Sequence, residues 1–126
     1  MMPYQRLTAW RAAHELVIEA YRATANFPKT ELYGLTSQLR RASFSIAANI
    51  AEGVAKRGGG EFGRFLDIAI GSLSEVSYVT LLASELGYLD RDAARNLEGK
   101  RMQPAKLVWG LYKKTRRRSL VGRRGS

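Results

Sequence analysis

His14 is the only histidine in the sequence, so it is the first residue to test for chemistry. A Ser-His-Asp relay or an HExxH zinc site needs partner residues in a fixed relation to the histidine, and neither pattern is present around it. The chain has no cysteine, which also excludes thiolate zinc sites and cysteine nucleophiles. We therefore predict that His14 is a half-exposed surface or interface residue.

Three consecutive glycines at positions 58–60, followed by Glu61-Phe62-Gly63, invite interpretation as a phosphate-binding loop. A P-loop also needs a Lys-Ser/Thr pair after its glycines and a strand before them, and the sequence provides neither. A helix beginning near Glu61 could hold an anion at its N-terminus, but the Glu61 carboxylate already complements the helix dipole there. The favoured interpretation is a flexible hairpin between two helices.

The carboxylates do not form a catalytic or metal-binding pattern. Glu52 and Glu61 flank the glycines, and Glu75 follows later in the chain. A di-iron bundle needs Glu-x-x-His pairs from two helices, which a single histidine in another spacing cannot supply. No carboxylate has a plausible acid–base partner. We therefore predict a protein that is not an enzyme, with no catalytic residue, no metal site and no cofactor.

The segment 38–52 carries the most informative polar residues, because they interrupt an apolar helical pattern. Asn49 lies three residues after Ile46, so its amide is near the buried face and needs hydrogen-bond partners. Asn49 either locks two helices together or contacts a subunit or ligand. Arg40 and Arg41 lie on a solvated face, pair with acidic groups of a neighbour, or contact phosphates.

Apolar residues recur at helical spacing in four segments, and no segment alternates apolar and polar residues as a strand would. Asp90 is predicted to cap the fourth helix, and Pro104 is predicted to kink or divide it. Short connections between long helices favour antiparallel neighbours, so the predicted fold is an all-α, antiparallel up-and-down four-helix bundle. The predicted helices are residues 8–26, 36–57, 61–86 and 91–114.

The third predicted helix has two apolar rows instead of one, which makes its apolar face wider than one neighbouring helix covers. We therefore expect this helix to be central in the bundle or to contact another subunit. The first row contains Phe62, Leu66, Ala69, Leu73, Val76 and Thr80, and the second contains Phe65, Ile68, Val79, Leu82 and Leu86.

The size and charge of the chain set its domain organisation. With 126 residues and 45% hydrophobic residues, one domain with its own core is expected. The 21 basic and 11 acidic residues give a net charge of +10; seven basic and no acidic residues lie from Lys113 onward. We predict a bundle domain over residues 1–115 and a basic, flexible tail over 116–126 that attracts polyanions.

Targeting signals and membrane spans are not visible in the sequence. The first ten residues contain no long apolar run or small-residue cleavage site, and no uninterrupted apolar stretch approaches the roughly 18 residues of a membrane span. We therefore predict a cytoplasmic protein without membrane contact.

Three long motifs stand in the middle of the chain. They are FPxxExYGL at 27–35, QLRRA at 38–42 continued by SIxxNIAEG at 45–53, and EFxxFLxIAxGSLxE at 61–75. Together with Trp10 and Tyr21, they resemble the 23S rRNA intervening-sequence protein family, also called four helix bundle proteins, over roughly residues 5–112.

The resemblance implies an antiparallel four-helix bundle that assembles as a homopentamer. A similar bundle is the accessory protein of diversity-generating retroelements, whose basic pentameric barrel binds nucleic acid and a reverse transcriptase. No catalytic residues are known for the family, so the resemblance assigns none here. The family motifs are candidates for fold or assembly, and in this sequence they include Gln38, Asn49, Glu52, Glu61 and Glu75.

Two hypotheses for function follow. In the first, an oligomeric bundle binds nucleic acid, RNA more than DNA, through basic surfaces with low sequence specificity, together with a nucleic-acid-processing protein. In the second, the chain is a protein–protein assembly or adaptor module with no nucleic-acid role. The residues predicted to contact nucleic acid are Arg40, Arg41, Lys113, Lys114, Arg116, Arg117 and Arg118.

Overall fold

The structure, a computed structural model, describes the backbone of residues 1–56 and 59–125 and the side chains of 1–56 and 60–118. Short 3-10 turns at Pro3–Arg6 and Lys29–Glu31 precede the first and second helices. Within the described ranges there is no strand. The four α-helices are α1 (Thr8–Thr24), α2 (Leu35–Ala55), α3 (Gly59–Glu85) and α4 (Arg91–Gly125).

Each helix packs against two of the other three. Helix α1 contacts α2 and α4, and α3 contacts the same two helices from the opposite side. Across the described residues, α1 and α3 share no packing contact, and neither do α2 and α4, so these pairs are diagonal. The predicted all-α four-helix bundle is confirmed, and the short connections account for antiparallel neighbours.

The core follows the predicted stripes with specific exceptions. In α3, Leu66 and Val76 are fully buried, as predicted. Ile68 and Leu86 belong to the second predicted row, but they are 47% and 51% exposed, so that row is only partly buried. In α1, Leu16 is fully buried. The fully buried large apolar side chains are Leu16, Leu39, Ile46, Ile50, Leu66, Val76, Leu97, Pro104 and Val108.

The helix ends show where the local sequence was enough to predict the beginning or end of a helix. Asp90 caps α4 as predicted, because its Oδ1 accepts a hydrogen bond of 2.8 Å from the Ala93 amide. Gly87 follows the end of α3 with a φ of +80°, which favours glycine. A threonine before an apolar helical pattern favours a cap at Thr8, but Thr8 is instead the first residue of α1. Leu7 occupies the cap position without a side-chain hydrogen bond.

Helix α4 is longer than predicted. It continues without interruption through Pro104 and past the predicted end at Lys114 to Gly125, so Pro104 does not divide it. Pro104 is fully buried, and packing of its ring compensates for one lost backbone hydrogen bond. A bend at Pro104 and flexibility of residues 116–126 stay predictions.

The approach of α2 to α3 depends on Gly53. A Cβ atom at this position would lie 2.7 Å from Cδ1 of Phe62, which is closer than two carbon atoms can pack. The predicted flexible hairpin at 58–60 lies partly outside the described residues, and α3 already begins at Gly59. A P-loop needs a strand before its glycines, but the described residues before this segment form helix α2.

Helix α3 is long and apolar enough over Gly60–Glu85 to cross a membrane by length and composition alone. This is weak evidence, because core helices of bundles satisfy the same criterion. Its buried row, represented by Leu66, Leu73 and Val76, is covered by the neighbouring helices. Burial in the bundle therefore accounts for part of the apolar composition of α3, whereas Ile68 and Tyr78 on the same helix are exposed.

Candidate nucleic-acid interface

The net charge of the chain comes entirely from its last quarter. Residues 1–98 contain 11 basic and 11 acidic residues, whereas residues 99–126 contain ten basic and no acidic residues. Because α4 runs from Arg91 to Gly125, almost all of this acid-free segment is helical. We call residues 99–125 the distal α4 segment.

Helical geometry places many of these cations on one side. Pro104, Val108 and Thr115 are buried against the bundle. Lys106 and Arg117 are exposed, and their spacing of 11 residues, about three turns, aligns them on the opposite face. Among the described side chains, the exposed cations of the distal α4 segment are Lys106, Lys113, Lys114, Arg116, Arg117 and Arg118. None of these six forms an ion pair with another described side chain.

A glycine in α3 helps to hold the distal α4 segment on the bundle. A Cβ atom at Gly63 would lie 3.0 Å from Cγ2 of Thr115, so the absence of a side chain allows close packing. The Thr115 hydroxyl donates a hydrogen bond of 2.9 Å to the Leu111 carbonyl, which satisfies it within α4. The packed face therefore fixes which side of α4 presents its cations to solvent.

A shallow pocket of about 250 Å³ lies where the start of α3 meets this segment. Arg64 and Arg116 line it, together with Asp67. The Arg64 guanidinium forms an ion pair of 3.3 Å with Glu61, so part of its charge is already compensated. The pocket thus extends the basic face without forming an enclosed anion site.

Trp109 is an aromatic residue of this face that the sequence interpretation missed. It is 46% exposed and contacts Tyr112 edge-on, with ring centroids 5.8 Å apart. It follows Lys106 by three residues and precedes Lys113 by four, so all three share one side of the helix. An exposed aromatic ring beside cations can stack a nucleobase while the cations contact phosphates. The helical spacing of Trp109 from Lys106 and Lys113 was the feature of the sequence that could have predicted its place on the basic face.

The aromatic residues near the helix ends pack instead against their own bundle. Trp10 stacks on exposed His14 with ring planes 9° apart, and Tyr4 meets the edge of Trp10. Tyr88 packs against Phe27 near the α3–α4 turn. These contacts fit the predicted surface position of His14 and an end-capping role of the aromatic residues.

Arg40 is engaged inside the bundle. Its Nε–H donates a hydrogen bond of 2.9 Å to Thr24 Oγ1, and its guanidinium carbon lies 4.5 Å from the Tyr21 ring centroid. Arg41 is exposed. Because α2 and α4 are diagonal, the structure does not bring Arg40 and Arg41 together with the cations of the distal α4 segment.

Asn49 takes part in a polar network between α2 and α3. Its Nδ2 donates to the carbonyl oxygen and the hydroxyl of Ser45, at 2.8 and 3.1 Å. The link to α3 is made by Ser72, whose hydroxyl donates to Ser45 Oγ at 2.8 Å. Asn49 itself bonds only within α2, and the polar crossing between α2 and α3 is made by Ser45 and Ser72, which the sequence interpretation missed.

The other family-motif residues are on the surface. Gln38, Glu52 and Glu75 are exposed, and Glu61 is exposed in its ion pair with Arg64. Their part in assembly stays a prediction. Among the described residues, no group of three or more histidine, aspartate and glutamate side chains is arranged to hold a metal ion.

Comparison with solved structures first defines the class of the protein. The chain is similar to a crystal structure of a protein with unknown function from the S23 ribosomal protein family of Bacteroides thetaiotaomicron, with a TM-score of 0.75. The two share 21% sequence identity over 84% of this chain and 99% of that one, which shows a common four-helix fold.

The sequence profile of the 23S rRNA-intervening sequence protein family matches residues 5–110. The chain therefore belongs to this family, as its motifs indicated. No curated protein matches the sequence. The cations from Lys113 onward lie beyond the matched residues, so they are additional to the part shared with the family.

Proposed function

We propose that this protein binds nucleic acid, RNA more than DNA, through the exposed basic face of the distal α4 segment. The observation that carries the proposal is that all of the net charge lies in one acid-free segment, most of it in a helix whose opposite face is packed on the bundle. Phosphate groups release their counterions when lysine and arginine neutralise them, and this release drives association. Trp109 adds a ring on which an unpaired base can stack.

Several features favour RNA and low sequence specificity. The family is named after sequences that intervene in 23S rRNA, which is an RNA context. The basic face contains lysine and arginine on one exposed helix, an arrangement that contacts phosphates in register along a strand. Base-edge readout needs side chains inserted into a groove or around splayed bases, and only Trp109 is suited to contact a base.

Self-assembly is the second part of the proposal, and it rests on two exposed apolar surfaces. The first, on α1 and α2, contains Ile18, Tyr21 and Phe44, which are 40–61% exposed. The second, on α3, contains Ile68 and Tyr78, which are 47% and 64% exposed. Because α1 and α3 are diagonal, the two surfaces lie on different sides of the bundle. If the two surfaces bind each other, the contact is heterologous, and it generates a ring when the rotation between copies closes, rather than a two-fold dimer.

A ring of five copies is the assembly that we propose. Five chains would carry a formal charge of +50 and present five basic faces to one polyanion. Multivalent contact would raise avidity even if each face binds weakly. A nucleic-acid-processing protein is the partner that such a ring would recruit. The alternative, an adaptor without a nucleic-acid role, rests on the same apolar surfaces and does not use the basic face.

A titration of labelled single-stranded and duplex RNA and DNA tests the interface. The full chain is compared with a variant that combines Lys113→Gln, Lys114→Gln and Arg117→Gln. The control combines Arg11→Gln, Arg22→Gln and Lys29→Gln, which remove the same charge from exposed positions around α1. We expect the first variant to bind RNA at least about tenfold more weakly than the control at physiological salt.

The oligomeric state of each variant is measured in parallel by sedimentation. Equal loss of RNA affinity in the two variants would show that net charge alone drives binding, and the interface on α4 would be rejected. A stable oligomer that binds neither RNA nor DNA would favour the adaptor function, whereas RNA binding that neither variant weakens would reject the interface on α4.

A further inference from the structure

The hydroxyl of Thr80 in α3 is buried and has no hydrogen-bond partner within the described chain. Its residue is only 5% exposed. Three other buried hydroxyls behave differently: Thr24, Ser43 and Thr115 each donate to the carbonyl four residues earlier, at 2.7, 2.9 and 2.9 Å. Burying a hydroxyl without a partner is costly, so Thr80 points to a group outside the chain that completes its hydrogen bonding.

Thr80 lines a groove of about 350 Å³ between α3 and α4. The groove has both apolar and polar walls, and half-buried serines lie on either side of Thr80 along α3. The wall from α3 consists of Ser77, Thr80, Leu81 and Ser84, and the wall from α4 consists of Ala94, Arg95 and Glu98. A ligand here would meet hydroxyl groups, two apolar side chains, one guanidinium and one carboxylate.

The charges of the groove leave one cation unpaired. Glu98 is held by Arg101, whose Nε donates to the Glu98 carboxylate at 3.0 Å while the neighbouring guanidinium nitrogen donates to its other oxygen. This hydrogen bonding raises the pKa of Arg101, so its guanidinium stays charged beside Glu98. Arg95 is exposed and forms no ion pair with another described side chain. The groove therefore presents one uncompensated positive charge beside an unpaired hydroxyl.

We propose that this groove binds a carboxylate carried on a short apolar group. Rotation of the Thr80 side chain about its Cα–Cβ bond brings the buried hydroxyl to the groove, where it and the Arg95 guanidinium donate to the carboxylate oxygens. Leu81 and Ala94 contact the apolar part. A single negative charge matches the single unpaired cation. A phosphate dianion fits less well, because its second charge would lie near Glu98. The carboxylate belongs either to a small free acid or to an aspartate or glutamate side chain of another protein.

The test uses sodium propionate as the probe and the backbone amide shifts of the full-length protein in NMR spectra as the readout. Sodium chloride at equal ionic strength and sodium phosphate serve as comparisons. We expect propionate to shift the amides of Thr80, Leu81 and Arg95 in a saturable manner. Thr80→Val and Arg95→Gln are each expected to weaken this binding at least about tenfold, since each removes a donor to a charged acceptor.

Arg22→Gln is the matched control, because it removes the same charge from α1, which is diagonal to α3. Thr80→Val keeps the shape of the side chain and removes the unpaired hydroxyl, so this variant should fold with a melting temperature at least as high as that of the unmodified chain. Propionate should then raise the melting temperature of the unmodified chain and of Arg22→Gln, but not that of Thr80→Val.

Equal propionate shifts in the unmodified chain and both groove variants would overturn the proposal. The proposal would also be overturned if Thr80→Val melts at a higher temperature and propionate has no effect on the unmodified chain. Thr80 would then be a buried hydroxyl that only destabilises the fold. The source of the carboxylate is distinguished by a helical peptide with a central glutamate beside leucines and its glutamine counterpart. Glutamate-specific binding that propionate displaces indicates a protein side chain, whereas propionate binding without peptide binding indicates a free acid.

Discussion

Residues 1–98 and the distal α4 segment use their charges in opposite ways. In the first region basic and acidic residues are equal in number, and several cations have partners within the bundle, such as Arg22 with Glu19 and Arg40 with Thr24. In the second region no acidic residue is present, and the described cations after Arg101 form no ion pair. The charges of the first region are therefore balanced within the bundle, whereas the described cations after Arg101 have no acidic partner there.

The two regions also differ in burial. Helices α1 to α3 each contribute several fully buried side chains, whereas α4 after Arg101 is buried mainly along the line of Pro104, Val108 and Thr115. A helix anchored along one narrow line keeps most of its circumference exposed. Stability and ligand binding should therefore be separable by mutation. Changes in the buried core should lower stability, and changes in the exposed distal α4 segment should weaken binding.

Leu66→Ala should have the largest effect, and only on stability. Leu66 is fully buried in α3, so losing its side chain removes transfer free energy and leaves a cavity. We expect the free energy of unfolding, measured by urea denaturation, to fall by about 2–5 kcal/mol. Leu32→Ala is the control at a position that is 49% exposed and should cost much less. A loss of RNA affinity by folded Leu66→Ala protein would show that the two regions do not carry stability and RNA binding separately.

The combined Lys113→Gln, Lys114→Gln and Arg117→Gln variant should have the next largest effect, and only on binding. Plotting the logarithm of RNA affinity against the logarithm of salt concentration measures how many phosphate contacts are lost. We expect the slope to become less steep by about 2–3, because three cations no longer displace counterions. The free energy of unfolding should stay nearly constant, since all three side chains are exposed. An unchanged slope would place the phosphate contacts elsewhere.

Trp109→Ala should show whether the basic face stacks an unpaired base on the Trp109 ring. If a base stacks on the exposed ring, the affinity for single-stranded RNA falls by about 1–2 kcal/mol. The affinity for duplex RNA should change little, because its bases remain stacked in the helix. Titration of both RNAs with Trp109→Ala and Trp109→Phe separates loss of stacking from loss of bulk. An equal loss for both RNAs would argue against base stacking.

Arg40→Gln should destabilise the bundle and leave RNA binding unchanged. The variant loses the hydrogen bond to Thr24 and the contact with the Tyr21 ring, which together should lower the free energy of unfolding by about 1 kcal/mol. Arg41→Gln removes the neighbouring exposed charge and serves as the control. If Arg40→Gln weakens RNA binding without loss of stability, the RNA interface extends onto α2. Cations of residues 1–98 would then also bind RNA.

Tyr88→Phe should give the smallest effect, visible only in alkaline solution. The Tyr88 hydroxyl donates to the Glu31 carboxylate at 3.0 Å, and this hydrogen bond, together with desolvation and repulsion from Glu31, raises the Tyr88 pKa above 10.0. The folded state thus favours protonated Tyr88. Its contribution to stability is present below pH 10.0 and is lost as the pH rises through the folded-state pKa. The urea midpoint of the unmodified chain should therefore fall more steeply above pH 10.0 than that of Tyr88→Phe.

Part of the candidate site could be predicted from the sequence. The cluster of cations from Lys113 onward is visible by counting, and its exposure was expected. Its placement on a continuous helix was not, because Pro104 and the absence of apolar periodicity beyond Tyr112 both predicted an earlier end. Trp109 was overlooked for the same reason, since its exposure depends on which side of α4 faces the bundle.

The sequence by itself determined the features that depend on neighbouring residues. These include the four helices in order, the left-handed turn at Gly87, the cap at Asp90 and the family motifs. Helix formation, capping and turn formation depend on residues within a few positions of one another, so their signals survive in the linear sequence.

Only the tertiary structure decided which side of each helix is covered and which polar groups find partners. The wide apolar face of α3 contains both buried Leu66 and exposed Ile68, and its two neighbours in space select between them. Arg40 meets Thr24 from another helix, while Thr80 meets none. These outcomes depend on contacts between residues far apart in the chain, and helical periodicity restricts a residue to a face without specifying what packs against it.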